Sequence, residues 1–176
     1  MAYKFVDPTI GKDEVSVTQG FTTSAGVFPK FGFGQTALAT DSALGAGVFV
    51  FAAGGANVAV GNAVVFRGAN GVSVSQLATA SNGSAARVGV VYGALSASNV
   101  AGWVQVYGNA YPVTVSSAAT LGDLCKIGTT AGCIERSPAA SVAVANQIYG
   151  AYVAGAQSAS SSGGTVFLNY PYVAGV

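Results

Sequence analysis

The chain has 176 residues, of which only 13 are charged (seven Lys or Arg and six Asp or Glu), and it contains no histidine. Its net charge of +1 gives no basic footprint for nucleic acid, and the lack of histidine removes the commonest proton shuttle and metal ligand. The composition therefore speaks against an enzyme, a metalloprotein or a nucleic-acid-binding protein, and it nominates no catalytic, cofactor-binding or metal-binding residue.

Residues 1–41 hold seven of the 13 charges and a phenylalanine cluster that follows neither a strand nor a helix period. We interpret this segment as an extended N-terminal arm that orders against another protein, with four interface anchors: Phe21, Phe28, Phe31 and Phe33. The alternative is an N-terminal strand and loop packed on its own domain. If the arm is separate, deletion of residues 2–35 should abolish binding to that other protein and leave a folded core.

Residues 42–176 read as a β domain, because short runs of Val, Ile, Tyr and Phe alternate with Gly, Asn and Ser. The fold class that we predict is mainly β, a sandwich or barrel of short antiparallel strands, with short helical turns at 76–86 and 138–145. The predicted strands are 47–52, 57–60, 63–67, 72–77, 88–92, 103–107, 111–115, 123–127, 133–136, 147–153 and 165–170.

The uncharged stretch 42–66 has the length of a membrane span, but its glycines and alternating small residues predict two strands joined by a turn. The first 14 residues lack the basic region and apolar core of a signal peptide. We therefore expect no membrane partner and synthesis in the cytoplasm.

Two cysteines, Cys125 and Cys133, flank a predicted hairpin turn at 128–131. Without a secretion signal, buried and reduced thiols are favoured over a disulfide. Two thiols without histidine do not make a metal site by the usual spacing rules.

An internal repeat relates residues 61–109 to residues 122–170 at an offset of 61. Each segment reads as a hairpin, an Ala-rich connector, a Val/Tyr strand around a glycine, a Ser-rich turn and a final strand. The shared order of elements predicts two duplicated hairpin modules.

Few side chains are candidates for chemistry. The carboxylates of Asp13, Glu14, Asp123 and Glu135 lie in predicted turns or edge strands, where such residues are commonly structural. Five aromatic residues could form a platform for sugars or bases, although on alternating strands they more often anchor a core or an interface; they are Trp103, Tyr107, Tyr111, Tyr149 and Tyr152.

The low charge density also bears on partners. A monomer of this mass exposes about 7,800 Å², so 13 charges solvate it sparsely. Burial of much of this surface against other chains is favoured over its solvation by Ser, Thr, Asn and Gln.

Residues 58–170 show a repeated pattern of a glycine, a buried strand, a Gly-containing hairpin, a strand around a second glycine and a Ser-rich turn. The pattern runs through 61–66, 70–71, 87–91 and 95–100, and again through 121–125, 131–133, 148–152 and 156–163. In this pattern the chain resembles the small β-rich group of tailed-phage capsid decoration, or cement, proteins. The first 50 residues have no counterpart in that pattern.

The resemblance implies a structural protein of the virion that binds the outer surface of an expanded icosahedral capsid and stiffens it against packaged DNA. It implies the major capsid protein as partner, a homo-oligomer, commonly a trimer, and neither an enzyme nor a cofactor. Two alternatives remain open: another phage structural subunit, such as a tail or head fibre, and a carbohydrate-binding module. Saccharide-dependent quenching of Trp103 fluorescence would distinguish the second.

Overall fold

The computed structural model describes residues 3–6, 18–20, 29–67, 72–77, 86–137, 146–156 and 161–173. These residues form strands and no α-helix, which confirms the predicted mainly β class. The strands are β1 (Lys4–Phe5), β2 (Gln19–Gly20), β3 (Thr36–Asp41), β4 (Gly45–Ala53), β5 (Ala63–Arg67), β6 (Ser73–Gln76), β7 (Val88–Val91), β8 (Val100–Val115), β9 (Leu124–Ile127), β10 (Ile134–Ser137), β11 (Gln147–Val153) and β12 (Ser161–Val173).

Five strands close into a first ring, in the order β4–β6–β5–β7–β8, with β8 pairing back onto β4. Only the β4–β6 pairing of this ring is parallel. Because side chains alternate between the two sides of a strand, every second residue points inward. The interior is filled by buried apolar side chains such as Val50, Val64 and Val104.

A second ring repeats this arrangement in the order β8–β10–β9–β11–β12, with β12 pairing back onto β8. Its one parallel pairing is β8–β10, which occupies the same place in the ring as β4–β6. Cys125, Ile148 and Leu168 belong to its buried interior.

The two rings use equivalent segments of the chain. β5 and β9 begin at Ala63 and Leu124, 61 residues apart, and the same spacing separates the starts of β6 and β10 and of β8 and β12. The turn before each ring's hairpin also repeats. The Ala59 amide donates to Asn62 Oδ1 (2.9 Å), and the Thr120 amide donates to Asp123 Oδ2 (2.8 Å).

The long strand β8 belongs to both rings, and Gly108 marks the point where it passes from one to the other. Its N-terminal half pairs with β4 and its C-terminal half pairs with β12. Gly108 has φ +93°, and a Cβ there would overlap the carbonyl oxygen of Ala46. A side chain would therefore disrupt this close approach of β4 and β8.

The rings also share buried apolar contacts. Val65 and Val88 face away from the first ring's interior, yet they are 2% and 0% exposed and belong to the same buried cluster as the second ring's interior. The outer side of β5 and β7 is therefore covered by the second ring.

The described parts of residues 1–41 lie on the chain's own sheet. β1 pairs with β3, and β3 and β4 form a hairpin in which six residues of each strand are paired. The expected boundary at 41/42 therefore falls in a hairpin turn. Tyr3, Phe5 and Phe31 are buried against the outer side of β4 and β8. For these residues, packing on the chain itself replaces the expected free arm. Deletion of residues 2–35 would remove core side chains and would not leave the core intact.

Two strand predictions are corrected. Within 57–60 only an isolated bridge forms, from Val58 to Leu95, and the predicted strands 103–107 and 111–115 are one strand, β8. Cys125 and Cys133 are free and buried, in agreement with the reduced state predicted for them. The predicted helical turns lie almost entirely outside the described residues.

Candidate functional site: a tyrosine-rich face

The two carboxylates of the second ring, those of Asp123 and Glu135, interact with neighbouring residues of the same chain. Asp123 accepts hydrogen bonds from the Thr120 amide and hydroxyl (2.8 Å each), and these bonds lower the pKa of its carboxyl group. It also lies 3.7 Å from Arg136, and Glu135 lies 3.7 Å from Lys126. In the part of the chain that the structure describes, no group of three metal-ligating side chains occurs. Asp13 and Glu14 lie outside that part.

The most distinctive surface is an aromatic face on the outer side of β8, β11 and β12, which we call the tyrosine face. Tyr152 stacks on Phe167 (ring centroids 5.0 Å apart), and Tyr149 stacks on Tyr172 (5.4 Å). Tyr107 contacts two further rings of the face (5.6 and 5.8 Å). The members of the face are Tyr107, Tyr149, Tyr152, Phe167, Tyr170 and Tyr172.

Strand alternation places these side chains outside while their neighbours fill the second ring. Phe167 lies between the buried residues Val166 and Leu168, and Tyr152 lies between Ala151 and Val153. Tyr152, Tyr170 and Tyr172 are 41–52% exposed.

Two irregular backbone positions shape the face. Gly150 has φ +75° at a bulge where the β11–β12 register shifts, and Tyr170 has φ +48° on the opposite strand. Left-handed backbone is uncommon for a residue other than glycine. The bulge allows Tyr149 and Tyr152 to lie on the same side of β11 although they are an odd number of positions, three, apart.

An apolar side chain on β9 extends the face. Leu124 lies opposite Tyr152 and is 39% exposed. In the other direction the face ends at Tyr107, because its β4 partner Val48 packs against the interior of the first ring. An apolar row thus crosses the outer surface from Tyr107 on β8 to Leu124 on β9.

Charged groups occur only at the margins of this row among the described residues. Lys126 and Arg136 each have a carboxylate partner near Leu124. Arg87 forms a backbone bridge with Tyr172, and its guanidinium lies 5.0 Å from the centre of the Phe66 ring. The centre of the tyrosine face is therefore neutral.

The predicted interface anchors do not form this face. Phe31 is 6% exposed and packs against Phe51 and Trp103, so its assignment as an interface anchor is corrected to a core residue. Phe33 is 38% exposed and stacks on Phe51 (6.1 Å). Phe21 and Phe28 lie outside the described residues.

The predicted aromatic platform matches the face in part. Tyr107, Tyr149 and Tyr152 belong to it. The exposed side chain of Tyr111 is separate from the face, and the backbone amide of Tyr111 donates to Tyr92 Oη (2.9 Å). Trp103 is 1% exposed. Its fluorescence is therefore no reporter of sugar binding, which corrects the test that we derived from the sequence.

Sequence reasoning missed Phe167, Tyr170 and Tyr172. The alternation of Phe167 with Val166 and Leu168 was the available signal for the first. Tyr170 and Tyr172 flank Pro171, and this proline obscured the continuation of β12 to Val173.

A small hollow lies at the loop before β3. It has a volume of about 230 Å³ and is lined by residues 29–33. This is below the roughly 300–1,000 Å³ of ordinary small-molecule sites, so it gives no basis for a cofactor there.

No protein-family model matches this chain, and no curated protein sequence is significantly similar to it. Among the residues described, no helix is long and apolar enough to cross a membrane.

Proposed function

We propose that this chain is a structural protein of a tailed-phage virion, which binds the outer surface of the capsid as a homo-oligomer and stabilises it. The observation that supports this most is the neutral tyrosine face on a scaffold of two hydrogen-bonded rings. A broad, uncharged aromatic surface is typical of protein–protein contacts, in which tyrosine contributes apolar area and a hydroxyl group.

The scaffold suits such a role because β8 belongs to both rings and the rings share a buried cluster. A subunit on a capsid must hold its contact surfaces in fixed positions while the lattice repeats them many times. Contacts of about 1,600 Å² each, multiplied over the lattice, give strong retention without high affinity at any single contact.

Co-sedimentation tests this proposal. Purified protein is mixed with expanded shells assembled from the major capsid protein of the phage that encodes the chain. We expect saturable binding with a fixed number of chains per shell. Protein that stays in the supernatant at every shell concentration would refute the proposal, and recovery of the protein only in tail or fibre fractions of the virion would favour the fibre alternative.

A carbohydrate-binding module is the second candidate, because exposed tyrosine rings can stack on sugars. The face contains two pairs of stacked aromatic side chains, Tyr149 with Tyr172 and Tyr152 with Phe167. None of its six members, all among the described residues, carries a carboxylate. Tyrosine fluorescence on titration with bacterial surface polysaccharide tests it, and a saturable change without shell binding would favour this candidate.

A further inference from the structure

We infer that the tyrosine face, together with Leu124, is the surface on which a second copy of this chain docks; this deepens the proposed function and rests on it for the role of the oligomer on the capsid. The inference starts from a difference between the two rings, which share a strand order but differ in what covers their outer sides.

The first ring is covered at β5 and β7. Ala63 lies opposite Val90 there, both are 0% exposed, and both belong to the buried cluster that continues into the second ring. The corresponding pair in the second ring is Leu124 opposite Tyr152. These two side chains are 39% and 41% exposed. The same position in the fold is therefore buried in one ring and open in the other.

The first ring is also covered at β4 and β8. Phe49 and Trp103 on its outer side are 0% and 1% exposed, because Tyr3 and Phe5 pack over them. In the second ring the corresponding strands are β8 and β12. Their outer side holds part of the tyrosine face, on which no other described segment of the chain is packed.

Both outer sides of the first ring are thus covered by apolar segments of this same chain. The two corresponding outer sides of the second ring carry aromatic residues, and no described segment of the chain covers them. A second copy can supply one, because it presents the same kind of surface that already packs well on this scaffold.

The chemistry of the face favours contact with itself. In a two-fold contact the same patch faces itself, so a charged patch would be repelled. Here the six members are uncharged, and Lys126 and Arg136 at the margin are paired with carboxylates within the chain. The guanidinium of Arg87, beside Tyr172, lies over the Phe66 ring. Tyrosine rings can stack on rings of the partner while their hydroxyls keep hydrogen bonds.

The surface area of the tyrosine face determines how strongly two copies should associate. An aromatic side chain buries 150–250 Å² when fully covered, so a face of six partly exposed aromatic residues and Leu124 offers about 500 Å² per copy. Two copies would bury about 1,000 Å², near the lower limit for a specific interface. The structure therefore predicts association that depends on protein concentration.

Light scattering and sedimentation over a concentration series up to about 100 µM test the inference. The test variant combines Tyr152→Thr with Tyr170→Asn, because threonine suits an exposed strand and asparagine tolerates left-handed backbone. The matched control is Val60→Thr, which removes a 47% exposed apolar side chain from a turn of the first ring. An unchanged urea denaturation midpoint shows that each variant is folded, because Trp103 emission reports only the first ring.

We expect the wild type and Val60→Thr to exceed the 17.3 kDa of one chain as concentration rises. The double variant should dissociate at least about tenfold more easily. A wild type that stays monomeric, or a double variant that associates as the wild type does, would overturn the inference.

The outcomes also separate the inference from the proposed function. A monomeric wild type that binds shells would leave the capsid-binding role standing and reject self-docking. A double variant that keeps its mass but no longer binds shells would assign the face to the capsid protein, which rejects the inference. A wild type that associates through the face but never binds shells would support self-docking and reject the capsid role.

Discussion

At the residue scale, Gly108 shows how one missing side chain allows two rings to share a strand. Its φ of +93° carries the ordinary left-handed penalty, and the nearby Ala46 carbonyl adds a steric one. Gly45 has a similar φ of +82°, but only open space lies within 4 Å of the position that a Cβ would take. A comparison of alanine substitutions at Gly45 and Gly108 therefore separates the effect of backbone strain from that of steric overlap.

We expect Gly45→Ala to reduce the free energy of unfolding by about 1–2 kcal/mol, the cost of left-handed backbone alone. Gly108→Ala should cost at least about 2 kcal/mol more, because the β4–β8 contact must open. Urea denaturation measures both. Equal losses in the two variants would show that the close approach at Gly108 contributes nothing.

A second prediction at this scale concerns alkaline pH. Burial raises the pKa of the Cys125 thiol from an ordinary value of 9.0 to about 12, and burial also raises the pKa values of Tyr3 and Tyr92 above 10.0. Below pH 9 these groups are protonated in both the folded and unfolded states. Above it the unfolded chain loses protons first, so stability should fall as pH rises toward 12.

The variant Cys125→Ala isolates the thiol. Between about pH 9 and 10 its free energy of unfolding should fall less steeply than that of the wild type, by up to about 1.4 kcal/mol per pH unit for one proton. Denaturation curves at several pH values provide the slopes. Identical slopes for the two proteins would contradict the assigned burial of Cys125.

At the element scale, the strands with strong local patterns were predictable and the irregular ones were not. The predicted bounds 63–67 and 147–153 match β5 and β11, because branched and aromatic residues fill them. β8 was divided in two because Gly108 and Asn109 resemble a turn in the sequence. β1 and β2 were missed because two-residue strands have no period, and β3 was missed because it lies in the segment interpreted as an arm. β1 is held by its pairing with β3 and by the packing of Phe5 on Trp103.

The N-terminal segment gives a prediction with an internal control. Phe31→Ala removes a phenyl group that is 6% exposed and packs on Trp103, so it should reduce the free energy of unfolding by about 3–5 kcal/mol. It should also shift the emission of Trp103, the sole tryptophan, to the red. Phe33→Ala, at a 38% exposed position, should cost about 1 kcal/mol and leave the emission unchanged. A stable Phe31→Ala variant with wild-type emission would instead restore the free-arm interpretation.

At the scale of the whole molecule, the sequence indicated the repeat but not how the modules combine. The offset of 61 is visible in the sequence, whereas ring closure depends on the contacts of β8 with β4 and β12, which are remote in sequence. The tyrosine face was predictable only in part, because it draws on three strands and on the Gly150 bulge. Three of its six members were nominated from their strands alone.

The low charge of the whole chain predicts how binding responds to salt. With 13 charges, and with described ion pairs formed within the chain, few intermolecular ion pairs are available for screening. Shell binding should therefore weaken less than about threefold between about 50 and 500 mM NaCl. Sedimentation at several salt concentrations measures this, and steep release of the protein would indicate an electrostatic contact.

Stabilisation of the capsid is the central claim, and heat resistance tests it most directly. DNA-filled heads of the phage to which the proposal assigns this chain are assembled without the protein. They are heated with and without added protein while DNA release is followed with a dye that intact heads exclude. We expect saturating protein to raise the release temperature and to leave a capsid-free DNA control unaffected. Release at the same temperature with the protein bound at saturation would contradict a stabilising role.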